Sequence, residues 1–341
     1  MSYTELHARS AFSFLEGASQ PEQLAEVCAK SGMASMALLD GNGVYGAARF
    51  HLAAKKLGIR AHIGSELTLN FPPQRHRDTE KTRNSSSVSL RPGGEEARLP
   101  VLITSRAGYQ NLCRLVTRMK LRVPKHTKPG ECATIPGELA AYAEGLLCLT
   151  GDENGPLALA LERGGVDEAR LALQELAGIF GKENVYVELQ RHYNRRQEAR
   201  NQAAVSLARS MGLPVVATNG VQHALPEQRK ILDVFTCIRN HTTLNQAGRL
   251  LALNNERHVK TPEEMSRLFA DLPEAIANTS EVASRLEFTL ADLGYEFPRY
   301  PVPEGESMMS FLRKRTAEGE RARYGRKDRA LQERAHRQIE R

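Results

Sequence analysis

Seven short apolar stretches alternate with helical ones over the first 219 residues. The apolar stretches are residues 3–7, 36–39 and 59–66, then "LPVLIT" (99–104), "GLLCLT" (145–150), "NVYVELQ" (184–190) and "PVVATN" (214–219). Between them run helical signals. Ser19-Gln20-Pro21-Glu22 reads as a capping box with an early proline, opening a helix that carries Leu24, Val27 and Cys28. "AARFHLAAKKLG" is closed by Gly58, "GYQNLCRLVTRM" follows the fourth strand, two helical patterns surround Leu157–Leu161 and Ala169–Ile179, and another helix runs through Met211. Parallel neighbours need a crossover, usually helical, so this alternation predicts an α/β fold with a parallel sheet. Seven repeats suggest a closed or nearly closed barrel.

Two inserts interrupt the rhythm. Residues 72–98 contain "RHRDTEKTRNSSS" and "RPGGEEAR", polar and without period, and are expected to be a mobile loop. Residues 124–137 form a second irregular connection. From Thr261 the texture becomes helical, with "TPEEMSRLFADL" and "PEAIANTSEVASRL". Residues 294–306 hold three prolines and read as a linker, followed by the amphipathic helix "SMMSFLRKRTAEGERARYG" and a charged helical ending without a visible stop. Such an ending suggests a fragment of a longer chain. We place one domain over residues 1–290 and a second segment over 291–341.

No apolar run reaches the roughly 18 residues of a transmembrane helix. No signal peptide is visible, so the cytoplasm is the expected location. The five cysteines form no Cys-x-x-Cys pair and read as reduced, mostly buried thiols. The net charge of +7 is concentrated at one end: residues 309–341 carry 11 Lys and Arg against five acids, a net of +6. A basic end is the footprint of a nucleic-acid partner, though a solvated helix has the same composition.

In parallel barrels, chemistry gathers where strands end. Those ends present Glu5 and His7, Asp40, Glu66, Thr104-Ser105, Thr150 and Asp152, Glu188 with His192, and Asn219 through His223. If residues 3–7 are a regular strand, Glu5 and His7 share a face. A rim of Asp, Glu and His suits divalent ions that activate water for phosphoester hydrolysis. Against this, Gly41 follows Asp40, Arg98 precedes the fourth strand, and Gly220 and Gln222 occupy the last strand end. His7, Asp40, Glu66, Glu188 and His192 are therefore either metal ligands or members of a hydrogen-bonded polar cluster. His223 is expected in a loop or at the surface. His51, His62, His76, His126, His241, His258 and His336 follow no metal spacing. "GNGVYG" (41–46) lacks the endings of phosphate-binding loops, and its glycines read as a strand-to-helix connection.

Several segments, in order, carry a resemblance: "ELHARSAFSFLEGAS", "ALLDGNGVYGAARFHLAAKKLGIRAHIGSEL", "GYQNLCRLVTRMKLR", "VYVELQRH", "PVVATNGVQHALPEQRKILDVFTCIRNHTTL", "RHVKTPEEMSRLFADLPEAIANTSEVASRLEFTL" and "LGYEFPRYPVPEGESMMSFLR". Together they resemble the N-terminal part of bacterial C-family DNA polymerases, in the error-prone, alpha-subunit-like branch. The resemblance implies a polymerase and histidinol phosphatase (PHP) domain, a distorted seven-stranded barrel with a helical extension, followed by the start of a polymerase palm. The family's His-x-His is matched here by Glu5 and His7, its Asp-His by Asp40-Gly41, and its glutamate by Glu66. Its next histidine falls at Arg98, its "ELQRH" segment at Glu188 to His192, and its Asn-Asp-Val-His at Asn219-Gly220-Val221-Gln222. Of the histidine ligands in these segments only His7 is kept, which implies a vestigial metal pocket. Zn²⁺ or Mn²⁺ would bind only if that pocket were intact, and Mg²⁺ would serve the whole polymerase, whose catalytic aspartates are expected beyond residue 341. The implied partners are DNA through the whole enzyme, mutagenesis accessory proteins and a sliding clamp. A metal-dependent phosphoesterase or 3′-5′ exonuclease, and a non-enzymatic docking module, are the alternative readings.

Overall fold

The computed structural model describes residues 2–70, 96–124, 132–294 and 300–339. The strands are β1 (Glu5–Ala8), β2 (Ser35–Gly41), β3 (Arg60–Asn70), β4 (Glu96–Ile103), β5 (Leu146–Leu149), β6 (Val185–Leu189) and β7 (Val215–Ala217). The helices are α1 (Pro21–Lys30), α2 (Ala47–Leu57), α3 (Arg106–Arg122), α4 (Pro136–Ala141), α5 (Pro156–Phe180), α6 (Arg195–Met211), α7 (Arg229–Arg239), α8 (Leu244–Ala247), α9 (Pro262–Leu268), α10 (Pro273–Arg285), α11 (Met308–Tyr324) and α12 (Arg329–Ile339). Contacts divide the chain into two compact units, Met1–Leu293 and Gly294–Arg341.

In the first unit the seven strands form one sheet in sequence order. The sheet curls until its ends meet: Arg9 N–H donates to the Val221 carbonyl, and Val221 N–H to that of His7. The expected parallel sheet is corrected at one place, since β4 runs antiparallel to both β3 and β5. The physical reason is the connection, because residues 71–95 show no helical period and an antiparallel pair needs no crossover. The expected loop in that stretch and the irregular connection at 125–131 lie outside the described residues, as do residues 295–299 of the linker. The fourth strand starts at Glu96 rather than Leu99, and Arg98 is inside it. Reversal also moves Thr104-Ser105 to the opposite end of the barrel, where Ser105 caps α3 by accepting from Gly108 N–H.

Smaller differences are local. Gln20 rather than Ser19 is the N-cap of α1, and the Ser19 hydroxyl donates to the side-chain amide oxygen Oε1 of Gln228 instead. The two helical patterns expected in 156–180 are present as two runs within α5, broken at Gly164 and Gly165, whose backbone is non-helical, the latter at φ 67. Four of the five cysteines are buried.

Alternation along the strands builds two apolar layers. Outward residues such as Met36, Ile63, Val101, Val187 and Val215 pack with Leu24, Phe50, Leu112, Leu173 and Ala204 of the surrounding helices. Inward residues Leu6, Leu39, Leu102, Leu147, Leu149, Tyr186 and Val216 meet Val282 and Leu286. The helical extension therefore completes the core instead of hanging beside it. Asn278 donates to the Val215 carbonyl, and Arg60 to the carbonyls of Leu286 and Glu287. With one end filled by apolar side chains, polar groups collect at the other.

Candidate functional site: the charged barrel mouth

β1 is the element that aims the mouth. Glu5 is in register with Met36 and Ala8 with Leu38, so three residue steps on β1 span two on β2. This bulge interrupts the alternation and re-aims side chains. Leu6 and His7, although consecutive, both reach the inner side: Leu6 joins the inner apolar cluster, and His7 reaches Glu66 and Glu188. Glu5 turns elsewhere, accepting from Tyr3 OH at 2.6 Å and from the backbone N–H groups of His7 and Asn219 at 2.9 Å each. The expectation that Glu5 and His7 share a face is thus overturned by one extra residue. Burial drives the Glu5 carboxyl up to about 7 despite these donors.

His7 lies between two carboxylates. Its Nδ1 is 2.7 Å from Glu188 Oε1 and its Nε2 is 3.4 Å from Glu66 Oε1. Burial alone would strip its proton, but Glu188 and then Glu66 outweigh burial and raise the imidazole to about 10. Glu188 also accepts from Gln190 Nε2 at 2.8 Å and from the Thr218 hydroxyl.

Arginines supply the remaining positive charge. The Arg9 guanidinium bonds Glu66 and lies 3.4 Å from Asp152 Oδ2. Arg98 spans both oxygens of Glu16 at 2.6 Å and approaches Glu66 at 3.4 Å. Arg257 lies 3.3 Å from Asp152 and bonds Glu153 at 2.6 Å. Burial would raise the carboxyls of Glu66 and Asp152, yet Arg9 and its neighbours hold both below the ordinary range. Every buried carboxylate of this group faces a fixed cation.

Asp40 stands apart from that network. Its two oxygens take the Ser10 N–H and hydroxyl, the Ser13 hydroxyl and the Gly46 N–H, at 2.9–3.1 Å. A Cβ at Gly46 would lie 2.7 Å from Asp40 Oδ2, so glycine in "GNGVYG" lets the connection fold onto the carboxylate. His192 is also separate from His7: its Nε2 meets the Asn219 carbonyl at 2.9 Å and its Nδ1 meets Gln197 Nε2 at 3.0 Å. Burial, aided by the charge of Arg257, lowers it to about 3 and keeps it neutral.

The mouth therefore joins His7, Glu66 and Glu188, leaves Asp40 to a serine loop, and leaves His192 to a neutral amide pocket. Among the described residues no group of three or more His, Cys, Asp and Glu side chains is placed to hold a metal ion. His223 lies outside the named strands, as a loop residue would, but it is not at the surface: it is buried, its Nδ1–H donates to the Leu225 carbonyl at 2.9 Å, and it stacks on His258 with ring centroids 6.4 Å apart. The sequence reading missed Arg9 and Arg257 as members of the site. Arg9 carries a signal, since it directly follows the strand end, whereas Arg257 is brought to Asp152 across 105 positions without one.

A curled α/β sheet whose strand ends gather acids, imidazoles and arginines around a closed mouth defines the class of barrel. The model of the PHP domain family matches residues 5–192. The chain belongs to the PHP domain family. It is 36% identical over 338 residues, 99% of its length, to an error-prone DNA polymerase of Mycolicibacterium paratuberculosis, of which it covers 29%. It is 34% identical over 355 residues to an error-prone DNA polymerase of Nocardia farcinica, covering 95% of this chain and 30% of that one. Against an error-prone DNA polymerase of Anaeromyxobacter dehalogenans the identity is 36% over 307 residues, covering 88% and 24%. The resemblance read from the sequence is upheld, and the chain spans about a quarter to three tenths of the length of these relatives.

Proposed function

We propose that this chain serves as the PHP region of an error-prone DNA polymerase and that its barrel mouth is a self-neutralised, structural remnant of a metal pocket. In the whole enzyme the reaction would be template-directed nucleotidyl transfer, with Mg²⁺ held by carboxylates outside this chain and DNA as substrate, in translesion synthesis and repair. Accessory mutagenesis proteins and a sliding clamp are partners of that whole enzyme, and the cytoplasm its place. Among the described residues no helix is long and apolar enough to cross a membrane.

The observation that carries the structural reading is the guanidinium of Arg9 between Glu66 and Asp152. A divalent ion requires deprotonated carboxylates and neutral imidazoles with a free lone pair. Here Glu66 and Asp152 are already paired with Arg9, Arg98 and Arg257. His7 is engaged through Nδ1 by Glu188, and both nitrogens of His192 are engaged by an amide and a carbonyl. The residues present do not fit a bound metal ion.

The test is turnover of p-nitrophenyl phosphate and of a single-stranded oligonucleotide by the purified chain, with Mn²⁺ or Zn²⁺ added. The expected result is no metal-dependent turnover and no stoichiometric metal by elemental analysis. Turnover that is abolished by His7→Ala would overturn the reading and restore the metal-dependent phosphoesterase.

A further inference from the structure

The loops that leave β1, β2 and β6 emerge at the same end of the barrel, because those strands run parallel. Each loop displays an exposed aromatic side chain: Phe14 at 82%, Tyr45 at 49% and Tyr193 at 77% exposure. Each also contains a non-glycine residue in the left-handed region: Leu15 at φ 61, Asn42 at φ 51 and Tyr193 itself at φ 54. For Leu and Tyr that backbone is strained and persists only where surrounding contacts over-determine it.

Those contacts are present in all three loops. The first is tied by Ser10 and Ser13 to Asp40 and by Glu16 to Arg98, and a Cβ at Gly17 would lie 2.1 Å from the Ser10 carbonyl oxygen. In the second, Asn42 exchanges two 2.8 Å hydrogen bonds with Thr68, and Gly43 N–H donates to Ser65 at 2.9 Å. In the third, His192 N–H donates to Gln197 at 2.7 Å, Asn254 donates to the His192 carbonyl, and Asn194 caps α6. Hydrogen bonds thus fix the backbone of each loop, leaving Phe14 and Tyr193 largely exposed and Tyr45 half-exposed with its ring against Gly43.

Cations stand beside the rings. Arg49 lies over Phe12, the half-exposed neighbour of Phe14, at 5.5 Å, and Lys120 lies over Tyr45 at 5.4 Å. Arg239 is 3.5 Å from Glu16 in the first loop, and the exposed Arg195 and Arg196 follow Tyr193. Aromatic faces alternating with cations are what a single strand needs, since bases stack on rings while phosphates pair with Lys and Arg. Rings fixed in advance lose little freedom on binding.

We propose that these three rim loops form a stacking platform for single-stranded nucleic acid. Phe14, Tyr45 and Tyr193 receive the bases, and Lys120, Arg195 and Arg196 receive the backbone, while Arg49 and Arg239 are engaged by Glu22 and Glu16. The role needs no metal and no hydrolysis, so it stands apart from the reading of the pocket.

The probes are deoxythymidine and uridine oligomers carrying one 2-aminopurine, whose fluorescence is quenched on stacking, titrated with the whole chain at raised salt to suppress the basic helices. Quenching is expected on binding. Each of Phe14→Ala, Tyr45→Ala and Tyr193→Ala should bind about 5- to 150-fold more weakly, and the triple variant should lose the quench and bind more weakly than any single one. Phe14→Tyr should keep the quench. All three positions are exposed, and an unchanged unfolding midpoint checks the fold. Quenching and affinity unchanged in the triple variant would overturn the proposal, as would equal competition by duplex, whose bases are not free to stack, or preference for an acidic peptide over either oligomer. Cleavage of the strand with added Mn²⁺ would instead overturn the structural reading of the pocket and leave the platform standing.

Discussion

His7 and His192 sit at the ends of β1 and β6, at one rim and under nearly the same burial, yet they are held in opposite protonation states. Around His7, two carboxylates within 3.4 Å overcome burial and fix a cation. Around His192 a carbonyl and an amide satisfy both nitrogens without charge, and burial prevails. The difference shows that burial sets the default for an imidazole and that the nearest full charge decides whether the default survives. One half of the mouth is held together by ion pairs and the other by neutral hydrogen bonds, and the two halves should fail differently.

The largest expected effect comes from removing the central cation. Arg9→Met leaves Glu66 and Asp152 buried with one partner fewer each, and should destabilise the fold by about 3–5 kcal/mol in urea unfolding. A loss near zero would show that water reaches these carboxylates. Next comes His7→Gln, which removes the charged hydrogen bond to Glu188 and the positive charge beside Glu66 and should cost about 1.5–3 kcal/mol at pH 6. Its sharper signature is in pH. The folded pKa of about 10 lies above the ordinary 6.5, so the His7 contribution is complete below pH 6.5 and disappears as pH rises toward 10. Stability of the parent chain should decline over that window, and His7→Gln should flatten the decline.

His192→Gln should cost less, about 1 kcal/mol at pH 8, because only neutral bonds change. Its pH effect has the opposite sense. A folded pKa of about 3, below 6.5, gives stability that is present above pH 6.5 and lost as pH falls toward 3. The substitution should make the acid limb shallower, and His223, lowered to about 4 by burial, keeps it from vanishing. An identical pH profile for His7→Gln and His192→Gln would break the comparison. The smallest effect is expected at the surface pair of Arg49 and Glu22, where Arg49→Ala should change stability by about 0–1 kcal/mol.

Much of the barrel was legible because its signals are local. Apolar runs of strand length, helical spacing and closing glycines mark elements within a few residues of themselves, and they placed six of the strands in their true direction. The seventh, β4, runs opposite to the expected direction because direction depends on what connects strands, and the only sign of reversal in residues 71–95 is the lack of a helical period. Glu66, Glu188 and His7 were found as strand-end residues, and they do meet. Asp40 and His192 were found by the same reasoning but are engaged by Ser10, Ser13, Gln197 and Asn219, partners that strand-end position does not reveal.

By itself, then, the chain's order of residues determined an α/β barrel with acids and imidazoles at one rim, since periodicity and strand ends are properties of neighbours in sequence. Only the tertiary structure decided what those residues became. The bulge at Leu6 and His7 separates Glu5 from His7, and closure of the sheet brings Arg9, Arg98 and Arg257 onto Glu66 and Asp152. Charge is felt through space, and in a buried mouth the nearest arginine outweighs any motif written along the chain.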